Sequence, residues 1–225
     1  MIRILADNFS WSTFPDAVRF IGDNPHLLWH KALQQLGLAA AALGIAMVIA
    51  LPLGVVLGHF RRGSFLTISV SNLGRALPSL VLIAFGILIL GIGFWNNAVA
   101  LIVLAVPPIL TNAYFGVAEV DRNLVEAARG MGMREGQILS RVELPLALPL
   151  IFAGIQIAAV FVVATATIAA IAGGGGLGDI IVNQATYRLS GVVAASLCVS
   201  LLAFAVVALL GLARKLLQRP HVSGD

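Results

Sequence analysis

Three glycines near the end of a long apolar stretch have the spacing of a phosphate-binding turn. Gly173, Gly175 and Gly178 fit G-x-G-x-x-G, the pattern with which dinucleotide-binding proteins bring backbone N–H groups close to a pyrophosphate. That chemistry needs a preceding β-strand within a βαβ unit, whereas a long apolar segment precedes these glycines. We therefore interpret residues 173–178 as a glycine-rich connection that acts as a hinge or allows close helix packing.

Other patterns that carry chemistry are missing from the sequence. It contains no G-x-x-x-x-G-K-[ST] pattern of ATP-hydrolysing proteins, and Cys198 is its only cysteine. No nucleophile and base stand at a recognisable spacing. We therefore expect no catalytic residue, no metal site and no cofactor in this chain.

The longest polar stretch is residues 119–145, which lie between two apolar stretches. Asp121 or Asn123 can cap a short helix there, and we place Glu126 in its first turn, where a carboxylate faces the positive end of the helix dipole. An apolar side at i, i+3 and i+4 spacing is predicted for this helix. Its members are Leu124, Ala127 and Ala128.

Two glycines are expected to end this first helix. Gly130 or Gly132 can adopt the left-handed conformation of a helix C-terminus. A second helix is predicted from about Met133 to about Pro145. Two short helices joined at glycine would form a rigid unit, which can transmit a displacement from a partner protein.

Six residues of this loop have the spacing of a known family: Glu126, Ala127, Ala128, Gly132, Leu144 and Pro145. The pattern resembles the EAA loop of bacterial ABC-importer permeases, with Val142 in place of the usual isoleucine. In that family the loop inserts into a cleft of the ATPase subunit. The resemblance therefore implies that these six residues couple this chain to ATP hydrolysis by a partner.

The resemblance also implies the rest of the assembly. A pair of cytoplasmic ATP-binding subunits would bind ATP and Mg²⁺, so this chain would not itself be an enzyme. A second permease chain, identical or paralogous, and an external or periplasmic substrate-binding protein are implied as well. The location would be the bacterial inner membrane.

Additional residues extend the resemblance over about residues 32–213. They are Asn72, Arg75, Pro78 and Ser79, the run 143–149 and the run 173–179. These look like permeases for osmoprotectants such as glycine betaine, choline or carnitine, while methionine-importer permeases have similar motifs and are the alternative. A passive channel or a membrane anchor is less favoured, because neither needs Glu126 and Gly132 at this spacing.

A second group of residues is assigned to the transport pathway or a gate. It consists of Arg75, Pro78, Ser79, Gly173, Gly174, Gly175, Gly176 and Gly178. Arg75 either extends to the cytoplasmic interface or contributes to an inner gate. No carboxylate lies within the apolar stretches, which argues against a proton-coupled carrier.

The composition requires lipid as the solvent. Hydrophobic residues make up 60% of the 225 residues and charged residues 11%, against roughly 25% charged residues in soluble domains. The net charge of +4 does not indicate nucleic-acid binding, because the basic residues lie between apolar blocks. An all-α fold with five membrane spans is predicted. The spans are about 32–58, 76–94, 98–118, 146–172 and 191–213.

The distribution of lysine and arginine sets the expected orientation. Most of these residues lie on one side if the N-terminus is outside and the C-terminus inside. We thus expect an external segment at 1–31, one transmembrane domain at 32–213 with a cytoplasmic coupling loop at 119–145, and a cytoplasmic tail at 214–225. Residues 64–75 are expected to lead into the second span, with a bend near Pro78.

Overall fold

The computed structural model describes residues 13–217, and within this range every regular element is helical. This confirms the all-α prediction. The helices are α1 (Thr13–Asp23), α2 (Pro25–His59), α3 (Ser64–Ala76), α4 (Ser79–Leu90), α5 (Phe94–Ala118), α6 (Arg122–Gly130), α7 (Glu135–Ile138), α8 (Leu144–Ile168), α9 (Gly178–Val182) and α10 (Gln184–Leu217). A π-helical turn, Leu139–Glu143, joins α7 to α8, and a 3₁₀ turn, Ala169–Ala172, follows α8.

Four helical segments in the described part of the chain are long and apolar enough to cross a membrane. They are α2, α5, the continuous run Glu135–Ala172 and Gln184–Leu216 of α10. The predicted first, third, fourth and fifth spans are therefore present. The helix α2 begins seven residues earlier than predicted, at Pro25. The helix α10 is kinked at Arg188, whose φ of 56° and ψ of 178° are not helical, three residues before the predicted start of the fifth span.

The second predicted span is not one helix. The 12 residues of α4 extend only about 18 Å at about 1.5 Å per residue, less than the ~30 Å hydrocarbon thickness of a bilayer. A fifth span exists only if α3 and α4 are counted together. The helix breaks at Leu77, which is extended with ψ of 118°, because the ring of Pro78 disfavours a helical residue before it. The predicted bend is thus confirmed, and the predicted single helix over 76–94 is wrong.

The surface of α3 shows the inside-out pattern of a membrane protein. Its polar residues Thr67 and Ser71 are buried, whereas Phe65 is 83% exposed and Leu73 is also exposed. Water would reverse this arrangement, and hydrocarbon stabilises it. The exposed side chains of Leu88 in α4 and other large apolar residues follow the same rule.

The described residues form two compact units. Residues 13–42, 79–101 and 162–205 make the first unit, and residues 43–78, 102–161 and 206–217 make the second. Each of the four long segments contributes residues to both units. The first unit has a core of Leu28, Leu177, Ile180 and Ala195. The second has a core of Ala113, Val117, Ala147, Ile151 and Ile155.

In the second unit, α2 approaches α5 closely through two glycines one turn apart. A Cβ at Gly54 would lie 2.7 Å from the Cβ of Ala113, and one at Gly58 would lie 2.7 Å from the carbonyl oxygen of Tyr114. Small residues at this spacing let helix backbones approach within a membrane. The end of α2 is therefore held firmly against α5.

From the sequence, residues 95–97 are expected to form a tight outer turn after the second span; the structure places this turn earlier in the chain. Asn96 and Asn97 lie in the first turns of α5 and are buried. The amide nitrogen of Asn97 donates to the carbonyls of Gly93 and Ala172. The turn itself is 91–93, where Gly91 and Gly93 have positive φ angles. The helix α5 continues through Pro107 and Pro108.

Candidate coupling surface

The helix α6, which belongs to the second unit, begins with a side-chain cap. The carboxylate of Asp121 accepts a hydrogen bond of 2.9 Å from the backbone nitrogen of Asn123. Asp121, rather than Asn123, is therefore the N-cap. Because the helix starts at Arg122, Glu126 lies in its second turn. The prediction that Glu126 occupies the first turn is wrong, and its carboxylate is one turn further from the helix terminus than expected.

The end of α6 is fixed by a Schellman motif. Gly132 has φ of +82°, a left-handed conformation that favours glycine. Its nitrogen donates to the carbonyl of Arg129 at 3.0 Å, and the nitrogen of Met133 donates to that of Ala128 at 3.2 Å. Gly130 is the last residue of α6. Of the two predicted glycines, Gly132 is thus the one that turns the chain.

The second helix of the loop does not end near Pro145, as predicted. Residues Glu135–Ala172 form one continuous helical run. A proline lacks an N–H group, and its ring presses on the carbonyl four residues earlier. That residue is Arg141, which lies in the π-helical turn Leu139–Glu143. The wider turn accommodates the ring, so the loop passes into the fourth span without a break.

The apolar side of α6 is partly buried and partly exposed. Ala128 is 2% exposed and packs inward. Leu124 is 48% exposed, Met131 is 75% exposed and Ala127 is also exposed. These three residues recur at i, i+3 and i+7, on one side of the helix. The predicted apolar side thus divides into a buried Ala128 and an exposed apolar face, which we call the docking face.

An ion pair joins the two short helices across the turn. The guanidinium of Arg129 donates to both carboxylate oxygens of Glu135 at 3.1 Å. Both side chains are more than half exposed, so the pair contributes at most about 1 kcal/mol. Its two hydrogen bonds connect α6 to Glu135, the first residue of α7.

The end of α2 contacts both ends of the loop. Nδ1 of His59 lies 2.5 Å from Oε2 of Glu143, and both side chains are less than a tenth exposed. The guanidinium of Arg61 donates to the carbonyl of Val120 at 2.8 Å. His59, Arg61 and Glu143 border a cavity of about 230 Å³, which Glu126 and Arg129 also line. The sequence reasoning missed both contacts, because His59 and Glu143 are 84 residues apart and no local pattern connects them.

Of the six predicted coupling residues, four surround the docking face and two begin the fourth span. Glu126, Ala127 and Gly132 are exposed and Ala128 is buried beneath them. Leu144 is half-buried against the core of the second unit, and Pro145 is exposed.

The predicted glycine-rich gate lies in the first unit. Gly173, Gly175 and Gly176 have φ angles of 72°, 69° and 84°. Gly174 and Gly178 have no room for a side chain, since a Cβ would lie 2.7 Å from the carbonyl oxygen of Ala169 and 2.0 Å from that of Thr167. Every glycine of the segment is therefore required by its conformation or its packing.

Three residues of α2, Lys31 and one turn later Gln34 and Gln35, hold this segment in place. The amide oxygen of Gln35 accepts from the nitrogen of Leu177 at 3.1 Å, and that of Gln34 accepts from the nitrogen of Gly176 at 3.3 Å. Lys31 pairs with Asp179 at 2.5 Å. Sequence reasoning missed these anchors, which favour a fixed connection over a freely moving hinge.

The remaining predicted gate residues lie at the break between α3 and α4. Pro78 is exposed and Ser79, the first residue of α4, is half-buried. The side chain of Arg75 lies outside the described part of the structure, as do residues 1–12 and 218–225 of the predicted terminal segments.

The chain is similar in sequence and in structure to known transport proteins. The choline transport system permease protein OpuBB of Bacillus subtilis is 36% identical over 199 residues, which cover 88% of this chain and 92% of the relative. The glycine betaine/carnitine/choline transport system permease protein OpuCB of the same organism is 36% identical and covers 83% and 87% of the two chains. Among solved structures, an inward-facing form of the MetNI methionine ABC transporter matches with a TM-score of 0.69 and 27% identity, covering 87% of this chain and 97% of that chain.

A known protein family also matches most of the chain. The family described as binding-protein-dependent transport system inner membrane component matches residues 50–219, a range that includes the capped α6, the Gly132 turn and the glycine-rich segment. With these helices and this match over most of its length, the chain belongs to the family of inner membrane components of binding-protein-dependent transport systems.

Proposed function

We propose that this chain is the permease subunit of an ATP-driven importer for an osmoprotectant such as glycine betaine, choline or carnitine. The single observation that carries the coupling role is the docking face. A capped helix outside the core, with Leu124, Ala127 and Met131 exposed on one side, is an amphipathic element without a partner in the described structure. Such a face suits insertion into an apolar groove of another protein.

The construction of the loop supports its use as a coupling element. The Asp121 cap, the Gly132 turn and the Arg129–Glu135 pair each restrict its conformation. Because the run Glu135–Ala172 is continuous, a displacement of α7 is passed directly to the fourth span. The six residues from Glu126 to Pro145 would thereby connect a pair of cytoplasmic ATPase subunits, which bind ATP and Mg²⁺, to the membrane helices.

The same proposal includes the remaining partners and the orientation. The N-terminus is placed outside and the C-terminus inside, with a second permease chain and an external binding protein completing the assembly. Arg75, Pro78 and Ser79 are proposed to line the pathway or gate together with the anchored glycine-rich segment 173–178. The distribution of lysine and arginine supports this orientation.

The substrate class rests on the relatives. The two permeases compared above act in transport of choline and of glycine betaine, carnitine and choline, according to their names, at 36% identity. The methionine transporter shares the fold at 27% identity. A methionine-type substrate is therefore the second candidate, and it is supported by the fold more than by the sequence.

Reconstitution would test the proposed function. The full complex, with its ATPase subunits and binding protein, is placed in liposomes, and ATP hydrolysis is measured with glycine betaine, choline, carnitine or methionine. We expect stimulation and uptake with at least one of the three quaternary amines and none with methionine. Stimulation by methionine alone would transfer the chain to the second candidate, and uptake without ATP would contradict an ATP-driven importer.

A further inference from the structure

The first span ends in a conformation that is unusual for its sequence. The turn after α2 is a Schellman motif, in which the nitrogen of Arg61 donates to the carbonyl of Gly58 at 2.9 Å and that of Arg62 to Leu57 at 3.0 Å. Arg61 stands at the left-handed position with φ of 50°. Glycine is favoured there, because a Cβ crowds the backbone. Such a strained conformation indicates that the arginine side chain has a specific structural or functional role.

The side chain of Arg61 reaches the beginning of the coupling loop. Its guanidinium donates to the carbonyl of Val120 at 2.8 Å, directly before the Asp121 cap of α6. The carbonyl is that of a buried residue. Replacement by glycine would relax the backbone of the turn and remove this bond.

His59, two residues earlier, reaches the other end of the loop. Its Nδ1 is 2.5 Å from Oε2 of Glu143, and its Nε2 is 3.6 Å from Oε2 of Glu135. Glu143 is 4% exposed at its side chain, so its carboxylate depends on His59 for the interaction that compensates for lost water. The other charged groups around the cavity are Arg61, Arg122, Glu126 and Arg129.

We propose that His59 and Arg61 form a clamp through which the end of α2 holds both ends of the coupling loop, positions α6 for docking and carries its displacement into the first span. This inference rests on the proposed function. The loop is covalently continuous with its neighbours α5 and α8, but α2 is remote in sequence and can follow the loop only through noncovalent contacts. Close packing of Gly58 against Tyr114 makes the end of α2 a firm support.

The test separates positioning from folding by means of Arg61→Gly. In the reconstituted complex, this variant is expected to have a thermal transition at least as high as that of the wild type, because the strain is relieved. The substrate transported per ATP hydrolysed is expected to fall by about two- to thirtyfold, the range typical of a lost coupling contact. Arg62→Ala is the matched control, since Arg62 is exposed and no side-chain hydrogen bond or ion pair joins it to another described residue; it should keep the wild-type ratio.

A second set of variants tests the His59 arm. His59→Ala, Glu143→Ala and the double variant should show nearly equal losses of the same ratio, because the two side chains act as one contact. His59→Gln, which retains a hydrogen-bond donor, should recover part of the ratio. An unchanged ratio in both Arg61→Gly and His59→Ala overturns the clamp. If His59→Ala fails to assemble, Arg61→Gly decides alone, and an unchanged ratio in that variant overturns the clamp.

A distance measurement tests the clamp independently of the substrate and of the transport assay. Spin labels are attached at Arg62→Cys and Gln137→Cys, with Cys198→Ala to remove the native thiol. They report the distance between the end of α2 and α7 in the protein reconstituted in liposomes. The clamp predicts one narrow distance, unchanged by ATP in the complex, that broadens with Arg61→Gly. A distance that shifts with ATP in the unaltered clamp contradicts this inference, whereas a complex with no substrate-stimulated ATP hydrolysis contradicts the proposed function.

Discussion

At the scale of single residues, Gly132 combines an unusual backbone conformation with a proposed role in coupling. Its φ of +82° lies in the left-handed region, and a Cβ there would meet no other atom within 4 Å. A substitution is therefore harmful through conformation alone and not through a clash. The neighbouring Gly130 has the same open surroundings but is helical.

Replacing Gly132 by valine should weaken the Schellman turn by about 1–2 kcal/mol, because the left-handed conformation is strained for residues with a Cβ. We expect normal membrane insertion, a displaced α6 and loss of substrate-stimulated ATP hydrolysis in the complex. Gly130→Ala serves as the control and should leave stimulation intact while stabilising α6 slightly. Full stimulation in Gly132→Val would argue against a docking role for this turn.

Gln35 is the buried residue on which the glycine-rich segment depends. It is 1% exposed, its nitrogen donates to Val163 and Thr167, and its oxygen accepts from Leu177. Leucine at this position would fill the space but leave the buried N–H of Leu177 without a partner.

Gln35→Leu should accordingly destabilise the protein by about 1–3 kcal/mol, the penalty of one unsatisfied buried group. The thermal transition of the purified protein measures this loss, with an expected decrease of about 2–10 °C for a chain of this size. Gln34→Leu is the comparison, because Gln34 is exposed and makes a longer bond of 3.3 Å to Gly176. Equal transitions for the two variants would show that burial of Gln35 contributes little.

At the scale of elements, α6 combines an exposed apolar face with a rigid support. Leu124, Ala127 and Met131 are exposed on one side of the helix, and Ala128, their neighbour on that side, is buried. A short helix of nine residues is marginal by itself, so its caps and its ion pair hold the face in shape before a partner arrives.

A charge on the docking face should affect association and leave the fold intact. For Leu124→Asp combined with Met131→Asp, we expect an unchanged thermal transition and a loss of ATPase-subunit binding of at least about tenfold, as for an apolar anchor of an interface. Copurification of the subunits measures the effect. Asn123→Asp, on the polar side of α6 and also exposed, adds a single charge outside the face and should bind normally; equal binding by all variants would exclude this face as the docking site.

At the scale of the whole molecule, the orientation across the membrane decides which partner can reach α6. The arginines near α6 and at the end of α2 give one side most of the positive charge, and positive loops remain in the cytoplasm. The anchored segment 173–179 belongs to the first unit and the docking face to the second.

Labelling with a membrane-impermeant maleimide tests this orientation. In a Cys198→Ala background, we expect Asn24→Cys to react in intact cells and Gln137→Cys to react only after the membrane is opened. Ser200→Cys, within the long apolar part of α10, is the unreactive control. The reverse order of labelling would place α6 outside the cell and contradict its docking to a cytoplasmic ATPase.

The sequence alone determined the properties that depend on composition and local order. Few charges and long apolar blocks require a helical membrane protein. Because caps and left-handed turns are local, the sequence also located the start of α6 at Asp121 or Asn123 and its turn at Gly130 or Gly132. The bend at Pro78 was equally predictable.

Tertiary structure decided the contacts between distant parts of the chain. The absence of a helix break at Pro145 depended on a π-helical turn, and the short α4 depended on where the chain unwinds, neither of which hydrophobic periodicity records. The anchoring of segment 173–179 by Gln35, and the contact of His59 with Glu143, join residues more than 80 positions apart. A buried polar group selects its partner by proximity in the folded state, so these contacts became visible only when the helices were packed.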